Sequence, residues 1–182
     1  MKKILEEDFI TTNWSGGTTS QIFIDPADSS VADKSFNYRI SSATCDLDQS
    51  DFTPYSDFER YITPLNGNLK LINNGNEIKI NPFEIYFFDG SDNVTSIGKV
   101  RDYNLIVRKG HKGLMYSKKL EDSSYELKAK SNKVIVFNYQ AELFYEINGE
   151  KSVFDKFSAL ELTEGEKIVF SGKGKILVCE IN

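Results

Sequence analysis

Histidine is nearly missing from this chain: there is one, His111, in 182 residues. Imidazole is the most frequent transition-metal ligand and the usual base of a nucleophilic triad. A single histidine, set between Gly110 and Lys112 in a stretch that reads as an exposed loop, cannot build a metal centre that needs several. A Ser-His-acid triad would have to use the same residue, and no Gly-x-Ser-x-Gly elbow is present to supply the serine. An all-carboxylate magnesium or calcium site has no recognisable loop either. The expectation is therefore no metal, no cofactor and no assignable catalytic residue. Cysteine is scarce as well. Cys45 and Cys179 lie far apart in strand-like contexts and read as small buried apolar residues.

Long apolar runs and basic blocks are also absent. The N-terminal Met-Lys-Lys-Ile-Leu-Glu-Glu-Asp turns acidic after two apolar residues, so it lacks the apolar core of a signal peptide. No apolar segment reaches membrane length. A cytoplasmic protein with no membrane partner is expected. The formal net charge is −5. Lys118, Lys119, Lys128, Lys130 and Lys133 are interrupted by Glu121, Asp122 and Glu126, which describes a solvated face and not a phosphate-binding stripe. No nucleic-acid partner is expected. No window carries the pattern of a three-turn amphipathic helix.

What the chain does have is sheet-forming chemistry. It holds 13 Phe and 9 Tyr against 4 Pro and 1 Trp. Aromatic and β-branched residues fit a pleated, half-buried surface. Short alternating segments recur between turn signals such as Asn66-Gly67, Asn73-Asn74-Gly75-Asn76, Asn148-Gly149 and Gly172-Lys173-Gly174. Regular short strands punctuated in this way predict an all-β sandwich or barrel. They fall into two runs, about 11–110 and 111–182, although no residue-level repeat links them.

The stretch Tyr38–Gly67 concentrates the chemistry. It reads as a strand, a polar loop with Phe52 and Tyr55 flanking Pro54, and a second strand ending at Asn66-Gly67. In the second strand Arg60 shares a side with Phe58 and Ile62. A guanidinium on an apolar strand face needs a carboxylate, a carbonyl or a ligand. Asp102, Asp89 and Glu59 are the internal candidates; a ligand carboxylate held in bidentate fashion is the other. Further along, Asp102 and Asn104 share one strand face and Tyr103, Leu105 and Val107 the other. If the polar face is interior, Asn104 can both donate to and accept from a ligand. Ser41, Ser42 and Thr44 could add hydroxyls. Gly16-Gly17-Thr18-Thr19 is no phosphate loop, since a strand and not a helix follows it. It is either a tight turn or a backbone surface close to a ligand, with Trp14 as an apolar wall or as ordinary core.

Five segments in order resemble the HutD/Ves family of the cupin superfamily. They are Trp14-Ser15-Gly16-Gly17-Thr18-Thr19-Ser20-Gln21-Ile22, Tyr38-Arg39-Ile40-Ser41-Ser42-Ala43, the run from Phe52 through Pro54 to Arg60, Leu65-Asn66-Gly67, and the run from Val100 to Gly110. The resemblance implies a bicupin, two antiparallel β-barrel or jelly-roll-like halves spanning 1–182. It also implies binding of a small carboxylate or formyl-amino-acid metabolite in a sensing or regulatory role, as in histidine utilisation or stress response. On this reading Arg60 anchors the anion, Asn104 orients it, and Asp102, Ser41 and Ser42 line the cavity. The loop carrying Trp14, Thr18 and Thr19 covers it. An enzyme acting on a small carbohydrate or acyl-amino acid, using a pair such as Asp102 and Tyr61, is the alternative. A barrel that only scaffolds an interaction is a third reading, and a homodimer through a strand edge is compatible with such a fold.

Overall fold

The computed structural model describes residues 1–182 and contains no α-helix. Its strands are β1 (Lys2–Ile4), β2 (Ile10–Trp14), β3 (Gly17–Asp25), β4 (Tyr38–Cys45), β5 (Gln49–Asp51), β6 (Phe58–Pro64), β7 (Leu69–Asn73), β8 (Asn76–Ile80) and β9 (Tyr86–Asp89). They continue with β10 (Val94–Ile97), β11 (Val100–Arg108), β12 (Gly113–Glu121), β13 (Tyr125–Lys128), β14 (Lys133–Asn138), β15 (Glu142–Ile147), β16 (Glu150–Phe154), β17 (Ser158–Thr163) and β18 (Lys167–Ile181). A single 3-10 turn, Glu6–Asp8, follows β1. No helix is long and apolar enough to cross a membrane.

The chain divides into two compact units, Phe9–Lys112 and Gly113–Asn182 together with Met1–Asp8. The first has two antiparallel sheets, one in the order β2-β3-β4-β11-β6-β9 and one in the order β5-β10-β7-β8. Ile62, Phe88 and Val100 from the larger sheet pack with Leu69, Leu71, Ile80 and Val94 from the smaller. A second cluster, Phe36, Tyr55, Phe58 and Ile106, closes on Ile24. Burial follows the period of two unevenly in β11. Tyr103, Leu105 and Val107 are fully buried on one face, and Asp102, Asn104 and Ile106 are nearly as buried on the other. Polar side chains therefore occupy an interior face of this unit.

The second unit has one sheet, β1-β17-β14-β18-β15-β16, with β12 and β13 also paired to β18. The sequence predicts two strands across Lys167–Ile181; the structure has one. Gly172 (φ 115°) and Gly174 (φ 155°) let the chain turn without leaving the ladder, and a Cβ on Gly172 would lie 2.6 Å from the Glu142 carbonyl oxygen. Strands β1, β2, β5, β10 and β16 were not legible from the pattern. In β2 the reason is plain, since all five residues are exposed and leave no apolar alternation.

The turns of the two units share backbone geometry at a constant separation along the chain. Asn74 and Gly75 (φ 48° and 84°) match Asn148 and Gly149 (52° and 82°), Phe83 (66°) matches Phe157 (51°), and Gly98 (114°) matches Gly172 (115°). The ladders shift by the same separation: Arg60 faces Ile106 and Asn104 faces Ile62, as Val134 faces Glu180 and Val178 faces Val136.

Leu71 is fully buried in the first unit, whereas Ile10 on β2 is 64 % exposed. Leu71→Ala should cost ~2–5 kcal/mol of stability in urea unfolding. Ile10→Ala should cost no more than about 0.5 kcal/mol. Equal losses would contradict this placement of the core.

Candidate functional site

Strand register sets the site. Three rows of cross-strand partners run over the inner face of the larger sheet of the first unit. Thr19, Ala43, Asp102 and Pro64 form one row; Gln21, Ser41, Asn104, Ile62 and Tyr86 the next; Ile24, Arg39, Ile106, Arg60 and Phe88 the third. Cross-strand partners point to the same side. The rows thus line up two arginines, two amides, a carboxylate and hydroxyls on one surface. Ser50, Asp51 and Ser96 of the smaller sheet face them across a cavity of about 360 Å³.

Arg60 lines this cavity and is 8 % exposed. Its guanidinium carbon lies 4.8 Å from the Phe52 ring centroid, 5.1 Å from Phe88 and 5.7 Å from Tyr55. The aromatic loop is held in place by backbone bonds, Phe52 N–H to the Val94 carbonyl at 2.9 Å and Tyr55 N–H to the Gly90 carbonyl at 2.8 Å. Arg60 Nη2 donates to Asn104 Oδ1 at 3.2 Å and Nη1 to the Thr53 carbonyl at 3.4 Å. Its Nε is buried and donates to nothing. Asn104 Nδ2 in turn donates to Asp102 Oδ1 at 2.6 Å.

Burial governs the charges. It lowers the Arg60 pKa to about 10, although Asp102 and Tyr55 pull the other way, so the guanidinium stays charged at neutral pH. It raises the Asp102 carboxyl to about 7, opposed by Arg60, by a backbone bond from Ala43 and by the Asn104 amide. Arg39 lies in the same row as Arg60 with one strand between them, roughly 10 Å away by strand spacing. Its Nε donates to Gln21 Oε1 at 3.1 Å, and burial lowers its pKa as well.

Of the residues expected from sequence, Arg60, Asn104, Asp102, Trp14, Thr19 and Ser41 line the cavity. Thr18 and Ser42 lie off it. Each is one residue out of phase with a lining neighbour and so points to the other side of its strand. The Thr18 amide donates to Thr44 Oγ1 at 2.9 Å, and the fully buried Ser42 Oγ donates to the Asp102 carbonyl at 2.8 Å. Gly17 (φ 151°) sits against β4, where a Cβ would be 2.3 Å from the Thr44 carbonyl oxygen. That close approach brings Trp14, 37 % exposed, to the cavity wall. Arg39 was missed. Its alternation with Ser41 was readable, but its proximity to Arg60 depends on β11 lying between β4 and β6. Tyr61 points away from the Arg60 face and packs on the exposed Phe87 at 4.9 Å between centroids.

Cupin-fold metal centres draw on several histidines and a carboxylate. The cavity lining has no histidine, and no three His, Cys, Asp or Glu side chains gather anywhere in the chain. His111 is exposed, edge-on to Tyr38 at 5.4 Å. These residues do not fit a transition-metal site. Both cysteines are free and buried.

The sequence profile of the HutD family matches residues 6–179. The chain belongs to the HutD family. Similar solved structures include a conserved protein of unknown function from Pseudomonas aeruginosa PAO1, with 19% identity, a TM-score of 0.83 and coverage of 100% of this chain and 98% of that one. HutD from Pseudomonas fluorescens SBW25, in a formate condition, is 20% identical with a TM-score of 0.77 over 100% of this chain and 98% of that one. A cupin 2 conserved barrel domain protein from Leptotrichia buccalis is 16% identical with a TM-score of 0.63, covering 100% and 96%. No curated protein matches the sequence. At these identities the neighbours establish an all-β, cupin-like fold for this HutD-family chain. Within it the second unit carries Val134, Val178 and Ile176 at the ladder positions that hold Arg60, Asn104 and Asp102 in the first. All three are fully buried in an apolar core.

Asn104 bridges Arg60 and Asp102, so removing its amide leaves buried polar atoms on both without that partner. Asn104→Ala should lose ~1–3 kcal/mol of stability in urea unfolding. A neutral result would show that the bridge contributes nothing to the fold.

Proposed function

We propose that this HutD-family protein is a metal-free bicupin whose first unit binds a small carboxylate-bearing metabolite, such as a formyl-amino acid or another amino-acid derivative. The observation that carries this reading is the buried Arg60 guanidinium, whose Nε has no partner, in the wall of a cavity. A buried donor left unsatisfied is costly. A ligand carboxylate would satisfy it with a charge-assisted hydrogen bond, and the guanidinium edge matches carboxylate geometry. The Phe52 and Phe88 rings, 6.1 Å apart, both pack against the guanidinium and fix its position. Arg39, Asn104, Ser41 and Thr19 supply further polar contacts, and Trp14 and Tyr55 supply apolar wall.

The second unit, with its apolar core, serves as the other half of the bicupin and holds no ligand. HutD-family membership supports placing the proposed sensing or regulatory role in histidine utilisation. The alternative enzyme reading needs two convergent titratable groups. Asp102 meets half of that requirement, while Tyr61 faces away from the cavity.

Calorimetry with acetate, N-acetylglycine and N-formylglycine tests the assignment. Binding should be 1:1, and Arg60→Ala should weaken it by ~2–5 kcal/mol. Arg60→Lys should restore little, because an ammonium cannot reproduce the planar fork. Unchanged binding by Arg60→Ala would remove Arg60 from the site.

A further inference from the structure

Asp102 stands in the cavity wall with only neutral donors on its carboxylate. Asn104 Nδ2 donates to Oδ1 at 2.6 Å, and the backbone amide of Ala43 also bonds to it. Arg60 reaches it only through Asn104, whose Oδ1 already accepts from Arg60 Nη2. Asp102 is 8 % exposed and borders the same cavity as Arg60. An anion brought in beside Arg60 would place a second negative charge in this desolvated space, with Arg60 beside both and Arg39 one strand further off in the same lining. Two carboxylates that share a dry site do not both stay ionised.

We propose, building on the carboxylate reading above, that Asp102 makes binding proton-coupled: each anion enters with one proton from solvent, which resides on Asp102 and turns a repelling acceptor into an O–H donor toward the ligand. The bonds from Asn104 and Ala43 remain in place, so the neutral acid keeps its position. Burial already holds the free carboxyl up at about 7, and a bound anion raises it further. The other groups around it do not take this role. Arg60 on β6, Arg39 on β4 and Arg101 on β11 are cations. Asp51 on β5 is exposed and accepts from Thr95 Oγ1 at 2.6 Å. The remaining ionisable side chains of the lining are the Cys45 thiol and the Tyr55 phenol. The sign follows directly. Affinity is greatest below the free-state value and declines as pH rises through about 7, because the ionised form must then recover its proton to bind.

The test is calorimetry with N-formylglycine, itself fully ionised, in two cationic buffers of different ionisation enthalpy, Bis-Tris and Tris. Wild-type protein should take up about half a proton per ligand at about pH 7 and approach one at about pH 8. Its affinity should fall by up to about tenfold per pH unit above that. Asp102→Asn should show no proton uptake and an affinity flat with pH. Should that variant not fold, carbon-13 carboxyl NMR of the wild type gives the same answer: an aspartate signal titrating near neutrality that stays protonated to higher pH with N-formylglycine bound. Binding without proton uptake and with pH-independent affinity would overturn the proposal and leave the anion site intact. No binding of N-formylglycine, N-acetylglycine or acetate at any pH would remove both.

Discussion

A guanidinium packed against aromatic rings inside a β-sheet unit constrains everything around it. Arg60 occupies a strand position whose neighbours on the same face, Phe58 and Ile62, are core residues. Burying a cation there is costly unless its charge and its donors are matched. The protein meets this partly. Phe52 and Phe88 pack against the guanidinium, Asn104 and the Thr53 carbonyl take two donors, and Asp102 offers a carboxylate one amide away. The match is incomplete at Nε, and the incompleteness lies beside a cavity. A purely structural arginine would close its bonds within the protein. This one leaves Nε without a partner.

The same constraint separates the two units. They share turn geometry and ladder register, yet the positions of Arg60, Asn104 and Asp102 are filled by valine, valine and isoleucine in the second. Apolar residues there interdigitate into a continuous core with Leu160, Leu162 and Phe170. Polar residues in the first unit resist such filling, because each must keep a hydrogen-bonding partner, and space remains between the sheets. One arrangement of strands thus gives a packed core in one case and a lined cavity in the other.

Much of this was legible in the sequence, because a strand repeats every two residues. Period two placed Arg60 with Ile62, and Asp102 with Asn104 against Tyr103, Leu105 and Val107. The loop before Arg60, with Phe52 and Tyr55 flanking Pro54, was readable as well. What it could not supply was which strand lies beside which. Arg39 became part of the site only because β11 sits between β4 and β6. Phe88 came to pack on Arg60 because β9 pairs with β6. Thr18 and Ser42 failed to join for a local reason: neighbours in a strand point oppositely, and choosing Ser41 and Ser42 together ignored that. The unbroken β18 was hidden by glycines that read as turns but serve as bends within a ladder.

A crystal structure of the protein saturated with N-formylglycine tests the central claim most directly. The account expects the ligand carboxylate in the first unit's cavity with an oxygen within hydrogen-bonding distance of Arg60 Nε, and no ligand in the second unit. Ordered water at Nε in the saturated crystal, or the carboxylate bound elsewhere, would contradict it.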